Sequence, residues 1–289
     1  MRILVTGGRG QLGRALQQAL TDHQVIALGH RELEVSDAGL VRRTVEEARP
    51  ELVIHAAAWT DTAGCEADPG RAQEINGEGS RHVAAACAHV GASMLYVSTN
   101  EVFDGTKVEP YHEYEETNPI NAYARSKLEG ERHVRALLDR RYVIVRTSWL
   151  YGFGRSSFPE KIVQAALDKG ALKVVTDEVA SPTWTVDLAR GIALIIRQPA
   201  WGVYHLTNSG YCSRLDWARK MLDLAGLGHI RLEPITQAEF GLPYRKPAFS
   251  VLANRTAARL GAQLRPWQDA LSEYLEEKKG AFPTANSGA

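Results

Sequence analysis

Short runs of apolar residues alternate with segments of helical hydrophobic spacing along the first half of the chain. The runs predict buried strands, and apolar residues three or four positions apart predict amphipathic helices between them. We expect strands at 3–5, 25–28, 52–54, 94–98 and 142–145, and helices at 12–20, 40–48, 72–90 and 123–139. Strands that are apolar throughout and joined by helices form a parallel sheet covered on both faces. The pattern therefore predicts an α/β fold.

The pattern is less regular after Trp149, where Pro and Gly are frequent. It predicts a strand at 174–175, a helix at 186–196, a strand at 203–206 and a last helix at 267–279. Ser213 and Asp216 form a capping box that opens a helix ending at Leu224. We expect a sheet domain at 1–150 to which 172–199 returns, a smaller α/β C-terminal lobe at 151–171 and 200–280, and a flexible tail at 281–289.

Composition limits the partners of the 289-residue chain. It has 34 Lys and Arg against 34 Asp and Glu, whereas nucleic acid or an anionic membrane requires a basic field. Cys65, Cys87 and Cys212 are far apart, so we expect neither disulfides nor a zinc site, and a reducing cytoplasm fits best. The N-terminus leads directly into a strand, so we expect no signal peptide.

A glycine-rich segment, TGGRGQLG, follows the first strand and opens the first helix. Its glycines satisfy both GxxGxxG (Gly7, Gly10, Gly13) and GxGxxG (Gly8, Gly10, Gly13). Such glycines allow a tight turn, a close approach to a pyrophosphate and close helix–strand packing, with the phosphates at the helix N-terminus. The strand–loop–helix context predicts a dinucleotide site in a Rossmann-type, doubly wound sheet.

The end of the second strand bears on the choice of cofactor. NAD-binding folds usually carry an Asp or Glu there, which binds the adenine-ribose hydroxyls. This strand ends Leu-Gly-His-Arg, and Arg31, together with Arg9, is suited to neutralise a ribose 2′-phosphate. We therefore predict NADPH as the cofactor, with NADH as the alternative.

A Tyr and a Lys four positions apart are candidates for acid/base chemistry. On a helix, Tyr123 and Lys127 share one face about 6 Å apart along the axis. A neighbouring ammonium lowers the pKa of a Tyr from its ordinary value of about 10, which makes Tyr123 a usable acid/base. Tyr274 and Lys278 repeat the pattern, but far along the chain from the glycine loop. We predict that Tyr123 and Lys127 are catalytic.

The fourth strand ends in Ser98 and Thr99. The C-terminal ends of parallel strands line the ligand crevice, where a hydroxyl can bind a substrate carbonyl and stabilise the developing alkoxide. A Ser-Thr pair alone is more typical of a turn. Because Tyr123 and Lys127 accompany it, we interpret Thr99 as a third catalytic residue.

Together these motifs resemble the extended short-chain dehydrogenase/reductases and, more closely, the dTDP-4-dehydrorhamnose reductase family. The resemblance covers nearly the whole chain. Besides the glycine loop, it includes HAAA at 55–58, VFDG at 102–105, RTSWLY at 146–151, DEVASPT at 177–183 and KPAFS at 246–250. The chain reads STNEVF at 98–103 and TAGCE at 62–66 where the family usually has STDYVF and VDxAE, and Ala180 replaces a Gly.

The resemblance implies NADPH-dependent reduction of the C4 keto group of a dTDP-linked 4-keto-6-deoxy sugar, most closely dTDP-4-dehydro-L-rhamnose to dTDP-L-rhamnose. Tyr123 would protonate the alkoxide, Lys127 would lower the pKa of Tyr123 and hold the nicotinamide ribose, and Thr99 would bind the carbonyl oxygen. The implied cofactor-binding residues are Gly7, Arg9, Gly10, Gln11, Leu12, Gly13, Arg31, Glu34, Val35, Ala56, Ala57, Ala58, Tyr123 and Lys127.

On the substrate side, the resemblance implies that Thr99 and Trp149 contact the sugar, with Asn100 and Glu101 in the same pocket. Asn76 matches a helical Asn that supports the active-site geometry. The resemblance is also compatible with a Mg²⁺ ion and a homodimer, although the residues themselves predict no metal site.

Three other functions stay open. The altered segments favour a reductase of a different nucleotide-linked 4-keto sugar. Thr99-Asn100-Glu101 resembles the Thr-Asp-Glu of sugar-nucleotide 4,6-dehydratases, in which Glu101 would be the base, but Asn100 cannot act as a general acid. A non-catalytic NADP-binding subunit is the third, and the intact Thr99, Tyr123 and Lys127 argue against it.

Overall fold

The computed structural model describes residues 1–154, 157–197 and 200–278. The strands are β1 (Arg2–Thr6), β2 (Gln24–Leu28), β3 (Leu52–His55), β4 (Ser93–Thr99), β5 (Tyr142–Thr147), β6 (Leu150–Tyr151), β7 (Ala171–Val175), β8 (Val179–Ala180), β9 (Thr183–Trp184), β10 (Gly202–His205), β11 (Cys212–Ser213) and β12 (Arg231–Ile235). The α-helices are α1 (Gln11–Ala19), α2 (Ala38–Ala48), α3 (Thr62–Ala67), α4 (Pro69–Ala72), α5 (Gly79–Val90), α6 (Ala122–Leu138), α7 (Phe158–Lys169), α8 (Thr185–Arg197), α9 (Arg214–Leu224), α10 (Gln237–Phe240), α11 (Arg255–Arg259) and α12 (Trp267–Glu277).

Six parallel strands form the central sheet in the order β10-β5-β4-β3-β1-β2. The strand order reverses next to β1, which gives the doubly wound, Rossmann-type topology expected from the sequence. Strand side chains alternate between two buried layers, with Ile3 and Val5 on one face and Leu4 on the other. Burial on both faces explains why these strands are apolar throughout.

Helices cover both faces of the sheet. On one face α1 packs against α8, and the side chains of Leu16 and Ile192 are fully buried there. On the other face α5 packs between α2 and α6, where Val83 is buried. The five strands and three of the four helices predicted for the first half are confirmed to within two residues.

The predicted helix at 72–90 differs from the structure. It consists of α4, a π-helical segment (Gln73–Glu78) and α5, and it ends at Gly91 in the left-handed region (φ 77°). Hydrophobic spacing over 19 residues does not reveal such a segment, because its i→i+5 hydrogen bonds replace the α-helical i→i+4 pattern only locally. Segments of this kind are frequent at functional sites, and this one carries Asn76.

The C-terminal lobe has an aromatic core. Trp184, Trp217, Trp267 and Tyr274 are buried there among α7, α9 and α12. Two-stranded pairings complete the lobe: β7 with β12, β8 with β11, and β6 with β9. The capping box of Ser213 and Asp216 opens α9 as predicted.

The expected boundary between sheet domain and lobe needs correction. Helix α8 packs on the sheet as expected, but β7 pairs with β12 in the lobe. Conversely, the lobe predicted at 200–280 includes β10, yet β10 pairs with β5 as the edge strand of the central sheet. Strands β7 and β10 are both too short for hydrophobic spacing to reveal the strand with which each one pairs. Residue 279, at the predicted end of the last helix, and the tail at 281–289 lie outside the described residues.

Of the helices that the structure describes, none combines the length and the apolar character needed to cross a bilayer.

Candidate active site

The glycine loop lies between β1 and α1, and its glycines are closely packed. Gly7 has a φ of 71°, and a Cβ there would lie 2.8 Å from the backbone nitrogen of Ala57. Gly10 is the N-cap of α1, and at Gly13 any Cβ would collide with the backbone of Gly7 and Gly8. Only glycine fits Gly7 and Gly13, so backbone packing alone explains two of the three positions.

The loop borders a cavity of about 380 Å³ above the C-terminal ends of β1, β4 and β5. Most of the predicted site residues line it: Gly7, Gly10, Gln11, Leu12, Gly13, Ala56, Ala58, Thr99, Asn100, Glu101, Tyr123, Lys127 and Trp149. The residues predicted for cofactor, catalysis and sugar therefore share one cavity.

Helix α6 positions Tyr123 and Lys127. Its N-cap is Asn121, whose Oδ1 accepts a hydrogen bond from the backbone N–H of Ala124 at 2.8 Å. Tyr123 lies in the first turn and Lys127 one turn later, so both side chains face the cavity. Lys127 is 3% exposed, and its ammonium nitrogen lies 4.2 Å from the ring centroid of Tyr96.

The expected effect of Lys127 on Tyr123 does not occur in this structure. Burial, with the charge of Glu101 as the next cause, raises the pKa of Tyr123, and only a hydrogen bond with the Thr99 hydroxyl lowers it. Burial also lowers the pKa of Lys127 to about 7, against the opposing charge of Glu131. Desolvation is thus the largest influence on the pKa of each of the two groups. Tyr123 is held as a neutral phenol, which is the proton-donating form.

Thr99 and Asn100 lie at the end of β4. The Thr99 hydroxyl accepts a hydrogen bond from the Glu101 N–H at 3.2 Å and donates to Asn100 Oδ1 at 3.3 Å. The Asn100 amide donates to Ser250 Oγ at 2.6 Å. By contrast, the Ser98 hydroxyl donates to Glu131 Oε1 at 2.6 Å. Thr99 is therefore better placed than Ser98 to bind a carbonyl.

Trp149 is in the left-handed region of backbone space, with a φ of 43°. Such strain in a non-glycine residue is typical of functional sites. The guanidinium carbon of Arg214 lies 3.6 Å from the Trp149 ring centroid, and Trp217 stacks on Trp149 at 5.5 Å. The strained backbone turns the Trp149 side chain into the cavity wall.

Asn76 does not line the cavity, but its side chain joins the segment that contains Trp59 to helix α6. Its Oδ1 accepts from Trp59 N at 2.8 Å, and its Nδ2 donates to Trp59 O at 3.0 Å and Ser126 Oγ at 3.0 Å. Ser126 lies between Tyr123 and Lys127 on α6. These contacts agree with the supporting role that the resemblance implies.

A second cavity of about 410 Å³ continues from the glycine loop toward the end of β2. The predicted residues that line it are Gly7, Arg9, Gly10, Glu34, Val35, Ala56, Ala57 and Ala58. Arg31 is exposed and is absent from the described lining of both cavities, so its predicted role is not supported. Arg9 lines the cavity and pairs with Glu32 at 2.7 Å. Arg71, which the sequence analysis missed, lines it too and lies 5.1 Å from the Trp59 ring centroid.

Among the residues of the first cavity that were not predicted from the sequence, four bear on ligand binding. Lys246 and Arg214 bring positive charge from the lobe, and both face Glu178, at 3.8 Å and 2.8 Å respectively. Thr147 and Thr185 line the cavity with buried hydroxyls that have no hydrogen-bond partner among the described residues. Lys246 lies in the KPAFS motif and Thr147 in the RTSWLY motif, whereas no family motif of the sequence contains Arg214 or Thr185.

Within residues 1–154, 157–197 and 200–278, no group of three or more His, Cys, Asp or Glu side chains is arranged to hold a metal ion.

Comparisons with known proteins agree with the geometry. The family model "RmlD substrate binding domain" matches residues 1–279. A dTDP-4-dehydrorhamnose reductase from Streptomyces griseus is 39% identical, covering 94% of this chain and 92% of the relative. The chain belongs to the dTDP-4-dehydrorhamnose reductase family. A dTDP-4-keto-6-deoxy-D-glucose reductase from Streptomyces niveus is 37% identical over 99% of this chain and 98% of that protein.

A solved structure of a dTDP-4-dehydrorhamnose reductase from Bacillus anthracis, in complex with NADP, is 34% identical with a TM-score of 0.91. It is matched over 96% of this chain and 99% of that chain. The family membership and the fold are thus supported over the same residues.

The two segments that depart from the usual motifs of the dTDP-4-dehydrorhamnose reductase family meet beside Tyr123. Glu66 accepts a hydrogen bond from the N–H of Ala122, at the start of α6. The charge of Glu101, which lines the first cavity, raises the pKa of Tyr123, and Cys65 lies in the same surroundings. Both departures therefore alter the surroundings of one residue.

Proposed function

We propose that the protein uses NADPH to reduce the C4 keto group of a dTDP-linked 4-keto-6-deoxy sugar, with dTDP-4-dehydro-L-rhamnose as the substrate and dTDP-L-rhamnose as the product. The observation that carries this proposal is the meeting of Thr99, Tyr123 and Lys127 in one cavity with the glycine loop. Family membership supports the substrate class.

The catalytic step follows from the state of Tyr123. When the carbonyl is reduced, negative charge develops on its oxygen and needs a proton and hydrogen bonds. Tyr123, held as a neutral phenol, donates that proton. Thr99 hydrogen-bonds the same oxygen, and the charged form of Lys127 stabilises the resulting phenolate.

The cavity residues fit a nicotinamide dinucleotide. Gly10, the N-cap of α1, leaves room for a phosphate at the N-terminus of that helix, whose backbone N–H groups favour anions. The unpartnered hydroxyls of Thr147 and Thr185 provide hydrogen-bonding groups for a ligand in the first cavity. When bound, NADPH would supply the hydride. Arg9 and Arg71 would neutralise its 2′-phosphate in the second cavity.

The lobe would hold the nucleotide part of the substrate. Lys246 and Arg214 line the first cavity and share one carboxylate, that of Glu178, which leaves one positive charge in excess. This charge would bind the substrate's diphosphate, and Trp149 would contact the sugar. Mg²⁺ and a homodimer stay predictions from the resemblance.

A second candidate substrate is dTDP-4-keto-6-deoxy-D-glucose. Two observations favour it: the departures at 62–66 and 98–103 alter the pocket around Tyr123, and the Streptomyces niveus relative bears that substrate's name. A dehydratase is disfavoured, because the Asn100 amide is bound to Ser250 and carries no acidic proton for the leaving group. A non-catalytic subunit would not need the three catalytic residues together.

The test is NADPH oxidation by the purified protein with each of the two dTDP-4-keto sugars. We expect stoichiometric oxidation with the L-sugar at a higher kcat/KM than with the D-sugar, and a Tyr123→Phe variant slower by about 100-fold or more. Tyr274→Phe, in the other Tyr-x-x-x-Lys pair, is the matched control and should retain turnover. Higher kcat/KM with the D-sugar would move the assignment to it, and no turnover with either would refute the reaction.

A further inference from the structure

Glu101 is a carboxylate that lines the first cavity, and it takes part in no step of the proposed reduction. Hydride transfer and protonation of the alkoxide need a hydride donor, Tyr123 and groups that bind the oxygen. Among the described residues that line this cavity, Glu101 is the only acidic one. A carboxylate is costly beside a site that accumulates negative charge, so its presence there calls for a function.

The carboxylate is held firmly, but it is not neutralised. Glu101 Oε2 accepts a hydrogen bond from Asn121 Nδ2 at 2.8 Å, and Asn121 is the N-cap of the helix that carries Tyr123. Within the part of the chain that the structure describes, Glu101 forms no salt bridge. Its backbone N–H donates to the Thr99 hydroxyl at 3.2 Å. Glu101 is thus fixed relative to both Thr99 and Tyr123.

The neighbouring carboxylate is engaged differently. Glu66 Oε2 accepts from the N–H of Ala122 at 2.8 Å, and Glu66 Oε1 lies 3.9 Å from Arg125 Nη2. Both oxygens of Glu66 therefore serve the first turn of α6. Glu101 combines a position in the cavity with an oxygen that no described residue binds.

A carbonyl bound by Tyr123 and Thr99 is activated for more than hydride addition. Hydrogen bonds to the oxygen stabilise an enolate as they stabilise an alkoxide, so the C–H bonds on the two carbons beside C4 become more acidic. A carboxylate base opposite a Tyr hydrogen-bond donor is an arrangement that enzymes use for proton abstraction next to a carbonyl. Glu101, Tyr123 and Thr99 provide these parts.

We propose that Glu101 removes and returns a proton at a carbon next to the C4 carbonyl, so that the site enolises its keto-sugar substrate as well as reducing it. This inference rests on the proposed function, because it requires a 4-keto sugar in the cavity. In the forward step the Glu101 carboxylate takes the proton. The C–H electron pair forms a carbon–carbon double bond, and the carbonyl π pair moves to the oxygen, which Tyr123 and Thr99 stabilise. Return of a proton from Glu101 restores the ketone, with no oxidant or reductant consumed.

The experiment measures deuterium entering the substrate without net reduction. The full-length protein with NADP⁺ is incubated in D₂O with a dTDP-4-keto-6-deoxy sugar prepared in H₂O, and borohydride then traps the ketone. After return to H₂O, only deuterium on carbon remains, and mass spectrometry counts it. We expect protein-dependent uptake of at least one deuterium, and an exchange rate about 100-fold lower for Glu101→Gln.

Two controls separate base chemistry from structure. Glu101→Gln keeps an oxygen that accepts from Asn121, and its melting temperature and dTDP affinity report whether the site stays intact. Glu116 is an exposed carboxylate on the loop between β4 and α6. The Glu116→Gln variant should therefore exchange deuterium at the wild-type rate. An intact Glu101→Gln variant that exchanges as fast as the wild type would overturn the proposal.

The proposed reduction and the proposed role of Glu101 can be refuted independently of each other. A protein that oxidises NADPH with the keto sugar but incorporates no deuterium above the protein-free rate would refute the role of Glu101 alone. A protein that incorporates deuterium but oxidises no NADPH would refute the proposed reduction and support the enolisation.

Discussion

The ammonium of Lys127 is buried against the ring of Tyr96 rather than exposed to solvent. Burial lowers its pKa to about 7, so the free protein loses this charge as the pH rises through neutrality. A bound dinucleotide brings phosphate charge and ribose hydroxyls into the same cavity, and both favour the ammonium. The bound cofactor would therefore keep Lys127 protonated, and this positive charge would stabilise the Tyr123 phenolate during catalysis.

Proton uptake on cofactor binding follows from this coupling. At pH 8 the Lys127 amine is mostly neutral in the free protein, and a raised pKa in the complex requires uptake of up to about 0.9 proton per site. Calorimetry of NADPH binding in buffers of different ionisation enthalpy measures this number. We expect cofactor affinity to fall as the pH rises from 7 to 9. Lys127→Met should bind without this uptake, and equal uptake by that variant would contradict the assignment.

We expect the preference for NADPH over NADH to depend on a single residue, Arg9. Arg9 lines the second cavity, whereas Arg31, three positions past the end of β2, does not. A charge-assisted hydrogen bond is worth about 1.5 kcal/mol, which corresponds to roughly a tenfold effect. Arg9→Gln should therefore lower the ratio of kcat/KM for NADPH to that for NADH about tenfold. Arg31→Gln is the matched control, and a larger effect from Arg31 would restore the original assignment.

Helix α6 carries functional side chains on successive turns, and one of them ties it to the sheet. Glu131, one turn after Lys127, forms a buried two-point contact with Arg146 of β5, at 2.9 Å and 2.7 Å. It also accepts a hydrogen bond from Ser98 of β4 at 2.6 Å. The pair fixes α6 against the strand that ends in Thr99, and so sets the position of Tyr123 relative to Thr99.

Breaking this pair should destabilise the fold. Glu131→Gln leaves the 2%-exposed side chain of Arg146 without a compensating charge, which should lower the free energy of unfolding by about 3–5 kcal/mol in urea. Replacing both residues, Glu131→Leu with Arg146→Met, should recover most of the loss. Glu129→Gln on the same helix removes an exposed pair with Arg132 and should cost less than about 1 kcal/mol. Equal losses for Glu131→Gln and Glu129→Gln would refute the role of the buried pair.

Elements with local signals were predictable from the sequence. Tyr123 and Lys127 follow from helical spacing, and Gly7, Gly10 and Gly13 from the strand–loop–helix context. The pairing of Glu131 with Arg146 could not be predicted, because it depends on which strand lies beneath α6. The same holds for β10, which joins the sheet through a contact about 60 residues away in sequence.

At the scale of the whole molecule, the first cavity lies between the sheet and the lobe. The sheet domain contributes Thr99 and Tyr123, and the lobe contributes Lys246 and Arg214. The zero net charge of the chain is compatible with two anionic ligands, because the positive charge is local to these residues and the N-terminus of α1. A predicted helix contains Arg214 and a quoted motif contains Lys246, but neither could be assigned to the site from the sequence, because only the tertiary fold turns them toward the sheet.

Because the sheet domain and the lobe contribute different residues to the cavity, we expect that a substitution can weaken substrate binding without weakening cofactor binding. Lys246→Met removes a cation that is 17% exposed and lies 3.8 Å from Glu178. It should therefore weaken binding of dTDP about tenfold or more, as expected for loss of a charge-assisted contact to phosphate. NADPH affinity should change less than twofold, because the proposed cofactor contacts lie in the sheet domain. Isothermal titration of each ligand measures both values. Lys173→Met, an exposed lobe lysine outside both cavities, is the matched control. Equal weakening of dTDP and NADPH would mean that Lys246 acts on the cavity as a whole rather than on the substrate's diphosphate.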